Sequence, residues 1–295
     1  MWWKRSSPTS RSDACAAGRH GGNRGYSLVE VVIAVTLGTS VVVTATAGYT
    51  FVSKSWLFEG QRLQTQQNLR LALDVLSREV RLAGACLPDA GPAAIKPLAG
   101  TDAGTTDTIT VRANVRCAIA TTVEVVPVGT TTIRVDTVAN FVAGMQAYIL
   151  HADTTMGEYV TIASVSVTPP RLTLAAGTTQ TYPAGSSVYG AESQTYAIDA
   201  SGAAPVLTVA SAGGAARPVV AGVERLNVQY VLNRNCVPGP CDVVDLPADA
   251  AEWALVRAVR VDVGVRSLRR VPAAEADGFY RLGQAIEVKP RNLLF

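Results

Sequence analysis

The chain has 295 residues, 48% hydrophobic and 17% charged, which allows one large domain or two modest ones beside a single apolar segment. Its net charge of +3 is unevenly placed: residues 1–25 carry Lys4, Arg5, Arg11, Arg19 and Arg24 against Asp13, and the rest holds 21 basic and 22 acidic residues. With no basic surplus in the body, a broad nucleic-acid-binding face is not expected.

Residues 1–25 are polar, basic and glycine-containing with no hydrophobic run, and read as a leader. From 26 to 51 the side chains are mostly Val, Ala, Leu, Ile and Thr, and after Glu30 no charge occurs until Lys54. At about 1.5 Å per residue such a helix spans a bilayer core of roughly 30 Å. The basic flank predicts a cytoplasmic leader, with everything beyond Phe51 on the far side. Tyr49 and Trp56 fall where the span would leave the lipid, as interfacial anchors do. A carboxylate near the start of the span is costly, so Glu30 is a functional residue in search of a partner. Three readings compete here. They are cleavage at Ala45-Thr46-Ala47 as in a secretory signal, an uncut signal anchor, and cleavage after Gly25 that makes Tyr26 the new N-terminus and Glu30 its fifth residue.

Arg24-Gly25-Tyr26-Ser27-Leu28-Val29-Glu30 resembles the prepilin processing site of type IV pilins and type II secretion pseudopilins. The resemblance implies that a prepilin peptidase cuts after Gly25, that the Tyr26 amine is methylated, and that Glu30 stays inside the membrane. Tyr26 stands where that family usually has phenylalanine. Electrostatics agrees with the implication. The Tyr26 amine of one subunit can neutralise Glu30 of another in a helix bundle, which favours one axial register. In an unassembled monomer Glu30 can snorkel to the headgroups.

The helix is expected to continue to residue 86, now amphipathic. Leu69, Leu73, Leu76, Val80 and Ala83 recur at three- and four-residue steps, with Arg70, Asp74, Ser77, Arg78 and Arg81 opposite them. A helix over 26–85 would be about 90 Å long. Gly84 and then Pro88 mark its end.

Residues 87–104 read as a linker loop. Short Thr- and Val-rich runs from Thr105 to about 190 predict six or seven strands (Thr108–Arg112, Thr122–Val126, Thr131–Val135, Gln146–Leu150, Glu158–Val165, Arg171–Leu174), hence a small all-β module. Over 191–295, two alternating runs, Val223–Leu232 and Leu255–Arg266, predict half-buried antiparallel strands. The order of these pieces resembles PilW-type minor pilins and the related J-type pseudopilins, through Arg81-Leu-Ala-Gly84, Val223-Glu-Arg-Leu226, Val256-Arg-Ala-Val-Arg-Val261 and Ile286-Glu-Val-Lys-Pro-Arg-Asn292. The expected fold is therefore α+β, pilin-like: a long transmembrane and amphipathic helix packed on an antiparallel sheet, with 105–190 as an inserted β module.

Cys86, Cys117, Cys236 and Cys241 would lie in an oxidising compartment, where four cysteines allow three pairings. The short Val-Pro-Gly-Pro loop favours Cys236–Cys241 and hence Cys86–Cys117. A metal site is the rival, without a nearby histidine or zinc-like spacing to support it. His151 beside Asp153 has no nucleophile elbow to serve, and His20 lies in the leader. Ser211-Ala-Gly-Gly214 reads as a turn. Asp242, Asp245 and Asp249 are not spaced as an EF-hand, and Trp253 reads as a packing residue. No catalytic, metal or cofactor site is expected.

The function implied by the resemblance is that of a minor pilin in type IV pilus assembly. Its partners would be the prepilin peptidase/methylase, other major and minor pilins and the bacterial inner membrane, before the pilus fibre at the cell surface. Rival readings are a type II secretion pseudopilin, an adhesin whose β module binds an unknown surface ligand, and an anchored enzyme.

Overall fold

The computed structural model describes residues 25–88, 96–153, 156–212, 214–236, 240–271 and 277–291. The expected leader up to Arg24, with Cys15 and His20, lies outside them, as do residues 89–95 of the expected linker, Gly213 and Asn292. The fold is α+β, one long apolar N-terminal helix followed by antiparallel sheets. The helix, α1, runs Leu28–Leu82. Next come β1 (Leu98–Thr101), β2 (Thr108–Ala113), β3 (Ile119–Thr121), β4 (Thr132–Arg134), β5 (Gln146–Leu150) and β6 (Gly157–Ser166). They are followed by β7 (Arg171–Leu174), β8 (Ser187–Gly190), β9 (Glu192–Asp199), β10 (Val206–Ser211), β11 (Arg217–Ala221) and β12 (Val223–Leu232). Last are β13 (Val243–Val244), α2 (Ala250–Ala254), β14 (Val256–Arg266) and β15 (Arg281–Val288).

The chain divides into two units, residues 1–53 and 54–295. In the first, every described residue up to Val52 is exposed. In the second, Thr65, Leu69, Ala72, Leu73, Leu76, Val80 and Ala83 are buried. The apolar side chains among these share one core with Ile109, Leu207, Leu226, Val261 and Val263 from the strands. The apolar stripe of α1 is thus the face removed from water, and Ala72 and Thr65 join it because they lie on the same helical face. Polar contacts fix the placement: Asn68 Nδ2 donates to the Ala221 carbonyl at 3.0 Å, and the Arg269 amide donates to Gln61 Oε1 at 3.2 Å.

Three sheets follow the strand orders β1-β2-β9-β10-β11, β13-β12-β14-β15 and β3-β8-β5-β6-β7-β4. The edge strands of the third meet through a Thr122–Val135 bridge, which closes it into a small barrel with its own core of Ala147, Ile149, Ile162, Leu172, Tyr182 and Val188. Closure removes the free edges that a six-stranded sheet would otherwise present. All six barrel strands fall in the chain between β2 and β9, which pair with each other.

Strand pairing departs from the sequence expectation in places. Thr108–Arg112, expected among the module strands, lies in β2, which pairs instead with β1 and β9. Leu98–Thr101, in the expected linker, is a strand without alternation, held by pairing with β2. β11 contains Pro218, which an edge strand tolerates because its missing N–H can face away from the ladder. Short α2 is started by Asp249, whose side chain accepts from the Glu252 amide.

Two buried side chains tie these pieces together. Asp107, 2% exposed, accepts from the Ala103 amide through Oδ1 and from the Val228 amide through Oδ2, both at 2.8 Å. The same segment exchanges backbone hydrogen bonds with Leu226, so residues 105–107 cover the β12 edge before β13 takes over. Asn114, fully buried, accepts from the Ala118 amide at 2.8 Å and donates to the carbonyls of Ala118 and Cys86. Its own amide donates to the Ala85 carbonyl at 2.8 Å. The end of α1 is thereby pinned to the chain entering the barrel.

Candidate assembly site at the start of the helix

Gly25, Tyr26 and Ser27 precede the regular helix, and the first helical hydrogen bond runs from the Val31 amide to the Ser27 carbonyl at 3.1 Å. The free amides of the first turn and the helix dipole make this end electropositive. Glu30 stands in that first turn. It is exposed, and among the described residues no side chain pairs with it. Around it lies an apolar surface: Tyr26 and Leu28 are each 81% exposed, and Val29, Val31, Val32, Ile33, Val35 and Leu37 are exposed as well.

The polar side chains of this segment do not spoil its apolar character. The hydroxyls of Thr36, Thr39, Ser40, Thr44, Thr46 and Thr50 donate to helix carbonyls three or four residues earlier. Back-bonding of this kind removes free donors that lipid could not satisfy. Among the described residues, α1 is a helix long and apolar enough to cross a bilayer, and the apolar window is wholly unburied. Glu30 is its one unneutralised charge before Lys54. Tyr49 and Trp56, each 75% exposed, flank the far end of the segment.

The cysteines come together as Cys86–Cys117 and Cys236–Cys241, each at disulfide distance. Cys86 and Cys117 both have positive φ, 50° and 46°, and follow the αL-configured Gly84 and the Asn114 hub respectively. The signal for Asn114 was absent from the sequence, since a lone Asn before a cysteine carries no pattern.

Other side chains weighed from the sequence have protein partners. His151 Nδ1 lies 2.6 Å from Asp153 Oδ1. Asp242 accepts from Arg234 and Asn235, Asp245 from Gln229, and Asp249 caps α2. The Arg234 and Asn235 hydrogen bonds hold the Asp242 carboxyl below its ordinary range. Among the described residues no group of three or more His, Cys, Asp or Glu side chains is placed to hold a metal ion. Trp253 packs edge-on against Tyr230, ring centroids 4.9 Å apart. Burial, and then the Asp107 carboxylate, push the Tyr230 phenol up; burial followed by Glu79 pushes Tyr196 up to about 12.

No family model matches the chain, and no curated protein matches it.

Proposed function

We propose that this chain is a pilin-like subunit, a minor pilin that acts in type IV pilus assembly after removal of its leader. The observation that carries the reading is the start of α1. Gly25 and Tyr26 are exposed outside the regular helix, and among the described residues Glu30 has no side-chain partner in the first turn of an exposed apolar helix. Cleavage after Gly25 would create the missing countercharge, an amine on Tyr26. In a bundle of such helices the amine of one subunit meets Glu30 of the next, and neither charge is left alone in lipid.

The core that α1 shares with the antiparallel strands supports a pilin-type body. The barrel's separate core, and its place in the chain between the paired strands β2 and β9, support reading it as an inserted module. N-terminal sequencing and intact mass of the membrane-extracted protein test the reading. The expected start is N-methylated Tyr26; a start at Gly48, or an uncut chain in cells with active prepilin peptidase, refutes it. A type II secretion pseudopilin would be processed in the same way, so loss of pili without loss of secretion on deletion of the gene separates the two. An adhesive role for the barrel has its own test: removal of residues 119–190, which keeps β2 and β9, that spares piliation but abolishes attachment.

A further inference from the structure

The two disulfides differ in their surroundings. Cys86 and Cys117 are exposed and close a loop of 31 residues in sequence separation. Cys236 and Cys241 are half-buried and only five residues apart. A short loop constrains the unfolded chain less, so this second bond contributes less to holding the fold. The residues flanking it are also held together without it. The Leu232 amide donates to the Asp242 carbonyl at 2.8 Å, the Asp242 amide donates to the Arg234 carbonyl at 3.1 Å, and the Asp242 carboxylate accepts from Arg234 Nε and Asn235 Nδ2. Arg234 is held in turn by Glu252. Arg257, reaching from β14, places its Nη1 3.1 Å from Cys241 Sγ and 3.6 Å from Cys236 Sγ. Among the described residues no cation contacts the sulfurs of Cys86–Cys117; the neighbouring Arg116 pairs with Glu192 at 3.6 Å.

We infer that Cys236–Cys241 is a thiol–disulfide exchange site, opened reversibly by small thiols of the glutathione class, with Arg257 holding the departing Cys241 thiolate. A guanidinium beside a sulfur stabilises the thiolate, and exchange is faster when the leaving sulfur is so stabilised. An incoming thiolate attacks Cys236 Sγ; the S–S bond breaks and its electron pair goes to Cys241 Sγ. A second thiol then displaces Cys236 from the mixed disulfide. Two small thiols become one disulfide, and the protein gains two electrons and two protons as a dithiol. Because Asp242 keeps the loop ends together, the two thiols stay adjacent and reclose by the reverse exchange, in which a small-molecule disulfide of the glutathione class takes the two electrons and is returned to two thiols. This inference does not depend on the proposed assembly role.

The test uses the full chain in detergent micelles, exposed to reduced glutathione, quenched by alkylation and read cysteine by cysteine by peptide mass spectrometry. The expected result is that Cys236–Cys241 opens roughly tenfold faster than Cys86–Cys117, against the order that exposure alone would give. The transient glutathione adduct is expected on Cys236. Arg257→Gln should slow the opening about tenfold and even out the adduct between the two sulfurs, while Arg257→Lys keeps most of the rate. Equal or faster opening of Cys86–Cys117, an adduct mainly on Cys241, or an unchanged rate in Arg257→Gln would each overturn it. The first two readings need no variant, so misfolding of Arg257→Gln would leave the inference testable.

Discussion

Replacing Asp107 by alanine should destabilise the body by about 3 kcal/mol, and the structure says which of its two hydrogen bonds sets the cost. Ala103, which donates to Oδ1, is exposed, so water can replace its acceptor. Val228, which donates to Oδ2, is 1% exposed inside the shared core, and no water follows the carboxylate out. A hydrogen bond to a charged group contributes about 1.5–3 kcal/mol, and a stranded buried donor adds to the loss. Asp107→Asn can still offer its carbonyl oxygen to Val228 and turn its amide to the wet side, so about 1 kcal/mol is expected there. Urea unfolding followed by tryptophan fluorescence measures both, with Trp253 reporting from its contact with Tyr230. The alanine variant should lower the midpoint by roughly 1 M. Amide exchange at Val228 should accelerate in it and stay near the parent rate in the asparagine variant. Equal losses for the two variants, or a loss under about 1 kcal/mol for alanine, would refute the claim that the Val228 bond carries the energy.

Asn114→Ala strands the Ala118 amide, whereas the Ala118 carbonyl keeps the Gly190 amide as donor; a loss of about 2–3 kcal/mol is expected in the same assay. Glu79 is raised above its ordinary range, chiefly by burial, with Arg78 opposing. A carboxyl raised by folding stabilises below its unfolded value and loses that contribution as pH rises through the folded one. Glu79→Gln should therefore stabilise the protein at pH 7, with the gain shrinking toward pH 4; a pH-independent effect would contradict the assignment. Glu30→Ala should leave synthesis and membrane insertion intact but reduce co-purification with other pilins, and normal incorporation into filaments would count against charge pairing.

The most legible parts of this chain in its sequence were those where one physical requirement dominates over many residues. Charge exclusion over 31–53 marks the apolar segment, and the three- and four-residue recurrence of Leu69, Leu73, Leu76, Val80 and Ala83 marks the buried face. Alternation over Leu226–Tyr230 and Val259–Val263 marks the strands that became β12 and β14, where one face lies on the core. The barrel strands were readable as strands but not as partners. Short Thr-rich runs specify register weakly, and the bridge that closes the barrel joins residues 122 and 135 without any local signature. Likewise, nothing in Thr105–Thr108 announces that Asp107 will reach across 121 residues to Val228. Long-range satisfaction of a buried polar group is a property of the packed state, not of the segment that supplies it.

At the helix start, what matters is which charges have partners. Elsewhere in the described body, carboxylates near basic side chains are answered within the chain: Asp262 by Arg225, Asp242 and Glu252 by Arg234, Glu224 and Asp277 by Arg281. The hydroxyls of the apolar segment are answered by their own helix. Glu30 alone in that segment carries a full charge, and among the described residues it has no side-chain partner, only the partial positive end of its own helix, where a low dielectric would make a missing countercharge costly. A signal anchor would lose nothing by a neutral residue at that position. In the proposed assembly, a subunit that must find one axial register among similar helices would lose its locating charge, and the proposed amine of Tyr26 would pair with the Glu30 carboxylate of a neighbour.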